Sequence, residues 1–441
     1  MLTSLCLLLV LQDPAPPAAP APIAERIRTM LGRIQADELA GSVRALVDMG
    51  SRHVLAESRP GRPGKPGAVA YLEQRLRACG DGRLQVERQS FTVFSTRLGR
   101  EVTVTNVVAT LPGTQDPERI YVVGGHYDSI CSDNRDSETP APGANDDGSG
   151  TAVMLEACRV MARERFAATV VFVAYDGEEM GLLGSTAHAE ALAKAGARVD
   201  GMITNDIVGN TLGMDGKKRD EYLRVFSYAP RGNDSPGRSL ARAATHATRS
   251  HVPGFELRMV LRGDRYGRGG DHRPFHQQGF PAVRFTEARE DYARQHQTVR
   301  EQDGKRYGDT PDFVDAAYLA RVCAVNVATL AELAAAPPPP ASVQASGSRT
   351  RYDTLLRWQA VPGAAGYELL ARLTTSPDWE VARTVPAAEG QEARATLADV
   401  LLDDHVVGVR AIGADGARSR AAVPPEPDAV EQRPAGRRSG G

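Results

Sequence analysis

The stretch 168-ATVVFVAYDGEEMGLLGS-185 gives the strongest indication of the fold. Its first part, from Ala168 to Tyr175, is a continuous apolar run rich in β-branched residues, which is typical of a strand buried on both faces of a parallel sheet. Glu178 and Glu179 follow directly, although adjacent carboxylates repel each other and are costly to bury without a partner. The stretch therefore predicts either a solvated turn or a positively charged ligand at the end of a buried strand.

Strand and helix patterns alternate on both sides of this stretch. Further strands are indicated by 119-RIYVVGGHYDS-129, 201-GMITNDIVGN-210, 222-YLRVFSYAP-230 and 280-FPAVRFTEA-288. Helical patterns lie at 148–166, 186–196, 235–249 and 316–336. This alternation predicts an α/β fold, a three-layer sandwich with a mostly parallel central sheet. Ligands of such sheets bind beyond the carboxyl ends of the strands.

A second, all-β domain is predicted at the carboxyl end of the chain. Four prolines, Pro337 to Pro340, end the last helix and form a linker over residues 337–342. Residues 343–424 show short runs of period-two alternation between turn residues, which indicates a β-sandwich. Trp358, 366-GYELL-370 and 406-VVGVRAIGADGARS-419 resemble a fibronectin type III domain, in which a tyrosine usually stands where this chain has His405. Residues 425–441 are expected to be disordered.

The composition gives no sign of nucleic-acid binding, and the amino-terminal residues indicate export. The 441 residues carry a formal net charge of -2, and no basic stripe suggests a nucleic-acid partner. Within residues 1–22, the apolar run 2–11 and the Pro/Ala linker that follows resemble a short secretory signal, too short to span a membrane. We therefore expect a secreted, periplasmic or cell-envelope protein with no integral membrane span.

The spacing of the five cysteines does not match that of a structural zinc site. Cys158 and Cys323 lie in apolar helical patterns, where buried cysteines act as small hydrophobic residues. The four cysteines that remain without Cys6 allow three disulfide pairings, and the sequence does not choose among them.

Acidic residues and histidines follow the predicted strands one after another. These residues are His126 and Asp128, Asp146 and Asp147, Glu178 and Glu179, Asp206, and the later His296. Taken singly, each has an ordinary explanation, such as a helix cap, a turn or a solvated helix start. Taken together, two imidazoles and several carboxylates at one sheet edge form a ligand set for a pair of Zn²⁺, Mn²⁺ or Co²⁺ ions bridged by a carboxylate.

The order of these motifs also carries a family resemblance. The series 124-GGHYDS-129, 143-GANDDGSG-150, 176-DGEEMGLLGS-185 and 204-TNDIVGN-210, with a late histidine, resembles the dinuclear zinc aminopeptidases, such as secreted bacterial leucyl aminopeptidase and aminopeptidase Y. Glutamate carboxypeptidase II and glutaminyl cyclase are relatives of this family. The resemblance implies that residues 23–336 form a metallopeptidase domain that acts on peptides or proteins.

The resemblance implies a role for each site residue. His126 and Asp206 would bind one zinc ion, Glu179 and His296 would bind the other, and Asp146 would bridge them. Asp128 would orient His126 from the second shell, and Glu178 would be the general base. The family also tends to have a cis peptide after the bridging residue, so a cis bond is expected between Asp146 and Asp147.

Several alternatives remain open. His272 and His276 compete with His296 for the last ligand position, and Tyr292 is displaced from the place where the family motif has its tyrosine. Arg262, Arg265 and Arg268 are candidates for binding a substrate carboxylate, as a carboxypeptidase would require. A glutaminyl-cyclase-like acyltransferase is less favoured, because that branch uses one zinc ion and does not keep the first histidine ligand. A receptor-like module is the non-enzymatic alternative, and the β-sandwich is expected to bind a polymer or a cell-surface partner.

Overall fold

The computed structural model describes residues 21–80, 82–230, 232–348, 350–387 and 390–425. Nearly all of the predicted signal segment and of the predicted disordered tail lies outside these ranges. The four cysteines within them, Cys79, Cys131, Cys158 and Cys323, are buried and free.

The first and larger part of the chain is built on a central sheet of eight strands. They are β1 (Gln85–Ser95), β2 (Arg100–Leu111), β3 (Asp116–His126), β4 (Ala168–Tyr175), β5 (Arg198–Asn205), β6 (Tyr222–Ser227), β7 (Glu256–Val260) and β8 (Ala282–Glu287). Their order across the sheet is β1-β2-β4-β3-β5-β8-β6-β7. The central strands β4, β3, β5 and β8 are parallel, as are β6 and β7, so four of the seven neighbouring pairs are parallel.

In the part of the chain that the structure describes, eight helices cover the two faces of this sheet. They are α1 (Ile23–Leu31), α2 (Ala36–Val47), α3 (Gly64–Arg77), α4 (Gly148–Met161), α5 (Leu183–Lys194), α6 (Pro236–His251), α7 (His272–Gln277) and α8 (Ala316–Ala335). The largest hydrophobic core holds buried side chains of α1 to α4, α6 and α8, and a second core on the other face holds those of α5 and α7. Every residue of β4 is buried between the two layers. The predicted three-layer α/β fold is confirmed.

Helix α8 is long and apolar enough to cross a membrane by composition alone. However, 78% of its most apolar window is buried inside the protein. Extensive burial of this kind is typical of the core helix of a folded domain, and α8 packs against α4, α6 and α1.

The carboxyl-terminal part forms two three-stranded antiparallel sheets. One sheet contains β11 (Gln344–Gly347), β12 (Thr354–Gln359) and β15 (Glu392–Leu397), and the other contains β13 (Gly366–Leu373), β14 (Val381–Pro386) and β16 (His405–Ile412). Trp358 and Tyr367 meet edge to face in the core between them, with ring centroids 5.1 Å apart. His405 Nδ1 lies 2.9 Å from the main-chain oxygen of Leu401. The small antiparallel sheets were predicted, and the fibronectin type III assignment stays a prediction.

The position of β3 creates the cleft in which a site can form. The chain passes from β3 through α4 to β4 on one side of it, and then through α5 to β5 on its other side. Connections that leave a strand in opposite directions open a crevice at its carboxyl end. His126 ends β3, Asp176 follows the last residue of β4, and Asp206 follows the last residue of β5. A small β9–β10 hairpin (Arg300–Gln302 and Lys305–Tyr307) and a 3-10 helix (Pro311–Phe313) lie between β8 and α8.

Candidate metal centre

The last residue of β3 places an imidazole at the bottom of the crevice. His126 is fully buried, and its Nδ1 lies 3.3 Å from Asp128 Oδ1 and 3.2 Å from the main-chain oxygen of Asp128. These contacts leave Nε2 directed at the other site residues, 3.2 Å from Asp146 Oδ1 and 4.0 Å from Asp206 Oδ1. A carboxylate that contacts Nδ1 fixes the ring orientation that a metal at Nε2 needs.

Asp146 occupies the centre of the site. Its Oδ1 faces the Nε2 of His126, and its Oδ2 lies 3.0 Å from the Nε2 of His296. The following Asp147 caps α4 by accepting the Gly150 N–H at 2.9 Å, and it also accepts the His126 N–H at 3.0 Å. The peptide bond between Asp146 and Asp147 is cis, as predicted. One carboxylate that faces two imidazoles has the geometry of a bridging ligand.

The turn after β4 explains how two adjacent glutamates are accommodated. The Asp128 carboxylate accepts the backbone N–H of Glu178 through Oδ1 and that of Glu179 through Oδ2, both at 3.1 Å. Gly177 begins the turn with φ of 72°, which a residue without a Cβ adopts without strain. Glu179 is buried, and its Oε1 lies 3.1 Å from the Nε2 of His296. The two side chains therefore start from one fixed backbone segment.

The predicted ligands form two clusters that share one residue. The ligand atoms of His126, Asp146 and Asp206 lie within 4.8 Å of one another, and the same is true of Asp146, Glu179 and His296. The Nε2 of His126 and the Oε1 of Glu179 are buried, and their nearest polar neighbours, Asp146 and His296, do not complete a well-directed hydrogen bond to them. Buried polar atoms without partners are rare and indicate a missing ligand. Imidazole and carboxylate ligands at this spacing fit two zinc ions bridged by Asp146.

The protonation of the site is consistent with cation binding. Glu179, with Asp146, raises the pKa of His296 to about 11 despite partial burial. Burial opposes ionisation of Asp146, but hydrogen bonds from His126 and His296 outweigh it and hold its pKa well below the usual value. Burial raises the pKa of Glu178 well above its usual value. The carboxylates thus need protons or cations nearby, and a metal ion displaces those protons when it binds.

Comparisons with known proteins identify the family. The sequence model of Peptidase family M28 matches residues 106–319, which include every residue of the two clusters. A "probable zinc metalloprotease" of Leptosphaeria maculans is 36% identical over 427 residues, which cover 92% of this chain and 98% of the relative. The chain belongs to peptidase family M28. It is therefore a peptidase of the zinc metalloprotease class, as the motif order predicted.

Solved structures with the fold of this M28 peptidase include two classes of enzyme. The LapA aminopeptidase of Legionella pneumophila aligns with a TM-score of 0.51 and 18% identity over 74% of this chain and 78% of its own. The glutaminyl cyclase of Porphyromonas gingivalis aligns with a TM-score of 0.51 and 18% identity over 68% of this chain and 99% of its own. At this identity the likeness shows the fold and leaves the reaction undecided.

Two residues that support the site of the M28 peptidase were missed in the sequence. Asp309 accepts the N–H of Asn145 at 2.9 Å and that of Asp146 at 2.7 Å, so it holds the loop of the bridging residue from behind. Arg52 is fully buried and donates to the main-chain oxygens of Tyr127 and Gly143, the latter at 2.8 Å. No local pattern points to Arg52.

A buried ion-pair network lies behind Asp206. Arg284 is fully buried, and its Nη2 lies 2.8 Å from Asp206 Oδ1. Arg265 and Arg268, which were candidates for binding a substrate carboxylate, lie 2.9 and 3.1 Å from Glu290 Oε2. These two arginines share one acidic partner within the protein, whereas the third candidate, Arg262, lies over the ring of Tyr266. The pairing with Glu290 weakens the argument for a carboxypeptidase as far as it rested on Arg265 and Arg268.

The competing histidines lie apart from the two ligand clusters. His272 is fully buried with Nε2 2.8 Å from the main-chain oxygen of Gly263, and burial lowers its pKa to about 4. Burial likewise lowers the pKa of His276 to about 4. Neither belongs to a group of potential ligands in the described part of the chain, whereas His296 does. Tyr292 is 58% exposed, so its ring lies largely in solvent.

Proposed function

We propose that this M28 peptidase is an aminopeptidase that binds two zinc ions bridged by Asp146. The observation that supports this most is the pair of ligand clusters that share Asp146. In this proposal His126 and Asp206 bind one ion, and Glu179 and His296 bind the other. Mn²⁺ or Co²⁺ would fit the same ligands.

The side chains around the centre suit peptide hydrolysis. The clustered imidazoles and carboxylates would hold the zinc ions, which would supply a Lewis acid for the scissile carbonyl group and for activation of a water molecule. Glu178 lies with His126 and Glu179 in a third group of close ligand atoms, so its carboxylate reaches the same space. Its raised pKa, caused first by burial, favours accepting a proton from the water and passing it to the leaving amine. Asp128 holds the backbone from which this base projects.

A buried acid near Asp206 supports the amino-terminal direction of attack. Asp271 is fully buried, and neither of its carboxylate oxygens has a hydrogen-bond partner. Its neighbour Gly270 packs so closely on Asp206 that an added Cβ would lie 3.2 Å from Asp206 Oδ2. Burial raises the pKa of Asp271 to about 7. A substrate ammonium group would supply the positive charge and the donors that this carboxylate lacks.

Metal content and blocked substrates test the proposal. The purified protein should contain about two zinc equivalents, release the amino-terminal residue of a free peptide, and stop after chelation. A peptide with an acetylated amino end should resist hydrolysis. A protein that hydrolyses neither peptide with zinc bound is not an aminopeptidase, and formation of a cyclised amino terminus would indicate an acyltransferase instead.

The base assignment has its own variant. Glu178→Gln should keep its zinc and lose roughly 10²- to 10⁴-fold in kcat, because an amide cannot accept the proton. The exposed Glu101 on β2 offers a matched control, and Glu101→Gln should behave as the wild type. Turnover by Glu178→Gln at the wild-type rate would show that another group is the base.

A further inference from the structure

A groove of about 400 Å³ opens beside His296. One wall is the segment 130–134 after β3, and another is Arg97 in the β1–β2 hairpin. The N–H of Thr298 donates to Ser132 Oγ at 2.9 Å, and the N–H of Ser132 donates to Thr298 Oγ1 at 3.4 Å. The groove therefore begins at the metal centre, and its two loops are tied to each other.

Arg97 connects this groove to the metal centre. Its Nη1 donates to the main-chain oxygen of Glu179, whose side chain lies 3.1 Å from His296. Within the described residues, its guanidinium has no other hydrogen-bond or ion-pair partner. An arginine presents five N–H donors in a planar fork that matches a carboxylate. Most of the donors of Arg97 are therefore available to a ligand in the groove.

No acidic side chain of the described residues pairs directly with this cation. Asp133 also lines the groove, but its Oδ1 accepts the N–H of Arg135 at 3.0 Å within its own turn. Arg265 and Arg268 differ from Arg97 because both lie against Glu290. The Arg97 guanidinium thus makes the groove beside His296 favourable for an anionic group. The buried carboxyl group of Asp271 favours a cationic one.

We propose that Arg97 binds the free α-carboxylate of a dipeptide whose peptide bond lies at the metal centre. This inference rests on the proposed aminopeptidase function and adds the substrate class to it. One extended residue advances the chain by about 3.5 Å. The residue after the scissile bond would therefore carry its own carboxylate into the groove beside His296. A longer or amidated peptide presents an uncharged amide at the same place, so dipeptides are the preferred substrates.

The test compares leucyl-leucine with leucyl-leucine amide. The zinc-loaded wild type should show a kcat/KM for the dipeptide about 10- to 100-fold higher, because the hydrogen bonds to Arg97 join two charged groups. Arg97→Ala should bring this ratio close to one, and Arg97→Lys should keep part of it. Arg100 begins β2 on the same hairpin and does not line the groove, so Arg100→Ala should keep the wild-type ratio.

A binding measurement separates this inference from the function on which it rests. Calorimetry on Glu178→Gln should show tighter binding of the dipeptide than of its amide, and the added Arg97→Ala change should remove the difference. Equal binding, or a loss in Arg97→Ala that is the same for both substrates, would overturn the inference and leave Arg97 as a support for Glu179. If an acetylated dipeptide is hydrolysed as fast as the free one, carboxylate binding stands and the aminopeptidase function fails.

Discussion

Asp128→Asn tests whether one carboxylate organises both halves of the site. In the wild type this carboxylate accepts the N–H groups of Glu178 and Glu179 at 3.1 Å and faces His126 Nδ1 at 3.3 Å. An asparagine has one amide oxygen for these groups and directs an NH₂ donor at the others. At least one buried N–H, or the imidazole nitrogen, therefore loses its acceptor.

The magnitude follows from these contacts. A hydrogen bond to a charged group contributes about 1.5–3 kcal/mol, and second-shell substitutions of this kind typically cost about 10- to 100-fold in metal affinity or activity. We expect zinc affinity to fall by about 10- to 100-fold and kcat/KM to fall at least as much, because Glu178 moves together with the proposed ligand Glu179. Competition between the protein and a chromophoric chelator measures the affinity, and dipeptide hydrolysis measures the rate.

The chain offers a close control for this substitution. Asp136 also accepts two backbone N–H groups, those of Glu138 and Thr139 at 2.7 and 3.0 Å, but it lies on a surface loop. Asp136→Asn should keep zinc affinity and turnover. The reasoning is refuted if Asp128→Asn binds zinc and turns over as the wild type does, or if both variants lose the same amount.

Two further predictions concern the support of the site and the carboxyl-terminal sheets. Asp309→Asn removes the charge that holds the N–H groups of Asn145 and Asp146, so kcat/KM should fall by roughly 10- to 100-fold, and an unchanged value would show that the loop holds itself. In the carboxyl-terminal sheets, burial opposes the ionisation of Glu368, but Arg410 outweighs it and lowers its pKa. The stability that this pair contributes is present above the unfolded pKa of about 4.3 and is lost as the pH falls through the lower folded pKa. The free energy of unfolding of Glu368→Gln at neutral pH should therefore be lower by about 1–3 kcal/mol, and it should fall less on acidification. Chemical denaturation at several pH values measures both. If the unfolding free energies of the variant and the wild type fall equally with pH, the prediction is wrong.

The central strands and the candidate ligands were predictable because their signals are local. The unbroken apolar run of β4 reflects burial on both faces, and all eight of its residues are buried. The carboxyl ends of parallel strands lie at the same edge of the sheet. His126, Glu179 and Asp206, which lie at or just after such ends, were therefore expected close together. The structure brings them together with Asp146 and His296. Their individual roles as ligands stay predictions until metal is measured.

Residues that act through distant contacts were not predictable in this way. The sequence suggested that Arg262, Arg265 or Arg268 binds a carboxylate, because arginine in a site loop has that chemistry. Two of them, Arg265 and Arg268, are paired in the structure. In the structure Glu290 lies against both, whereas Arg97, on a hairpin much earlier in the chain, has no acidic partner among the described residues. Which charges compensate each other depends on packing between distant segments, and no local pattern records it.

By itself, the sequence determined the α/β fold, the strand ends and the kinds of ligand atom they carry, because side-chain periodicity and chain direction are local properties. Only the tertiary structure decided how the adjacent Glu178 and Glu179 are held. Asp128, fifty residues earlier in the chain, accepts both of their N–H groups. That contact exists because β3 and β4 lie side by side in the sheet, and strand adjacency is set by the packing of the whole domain.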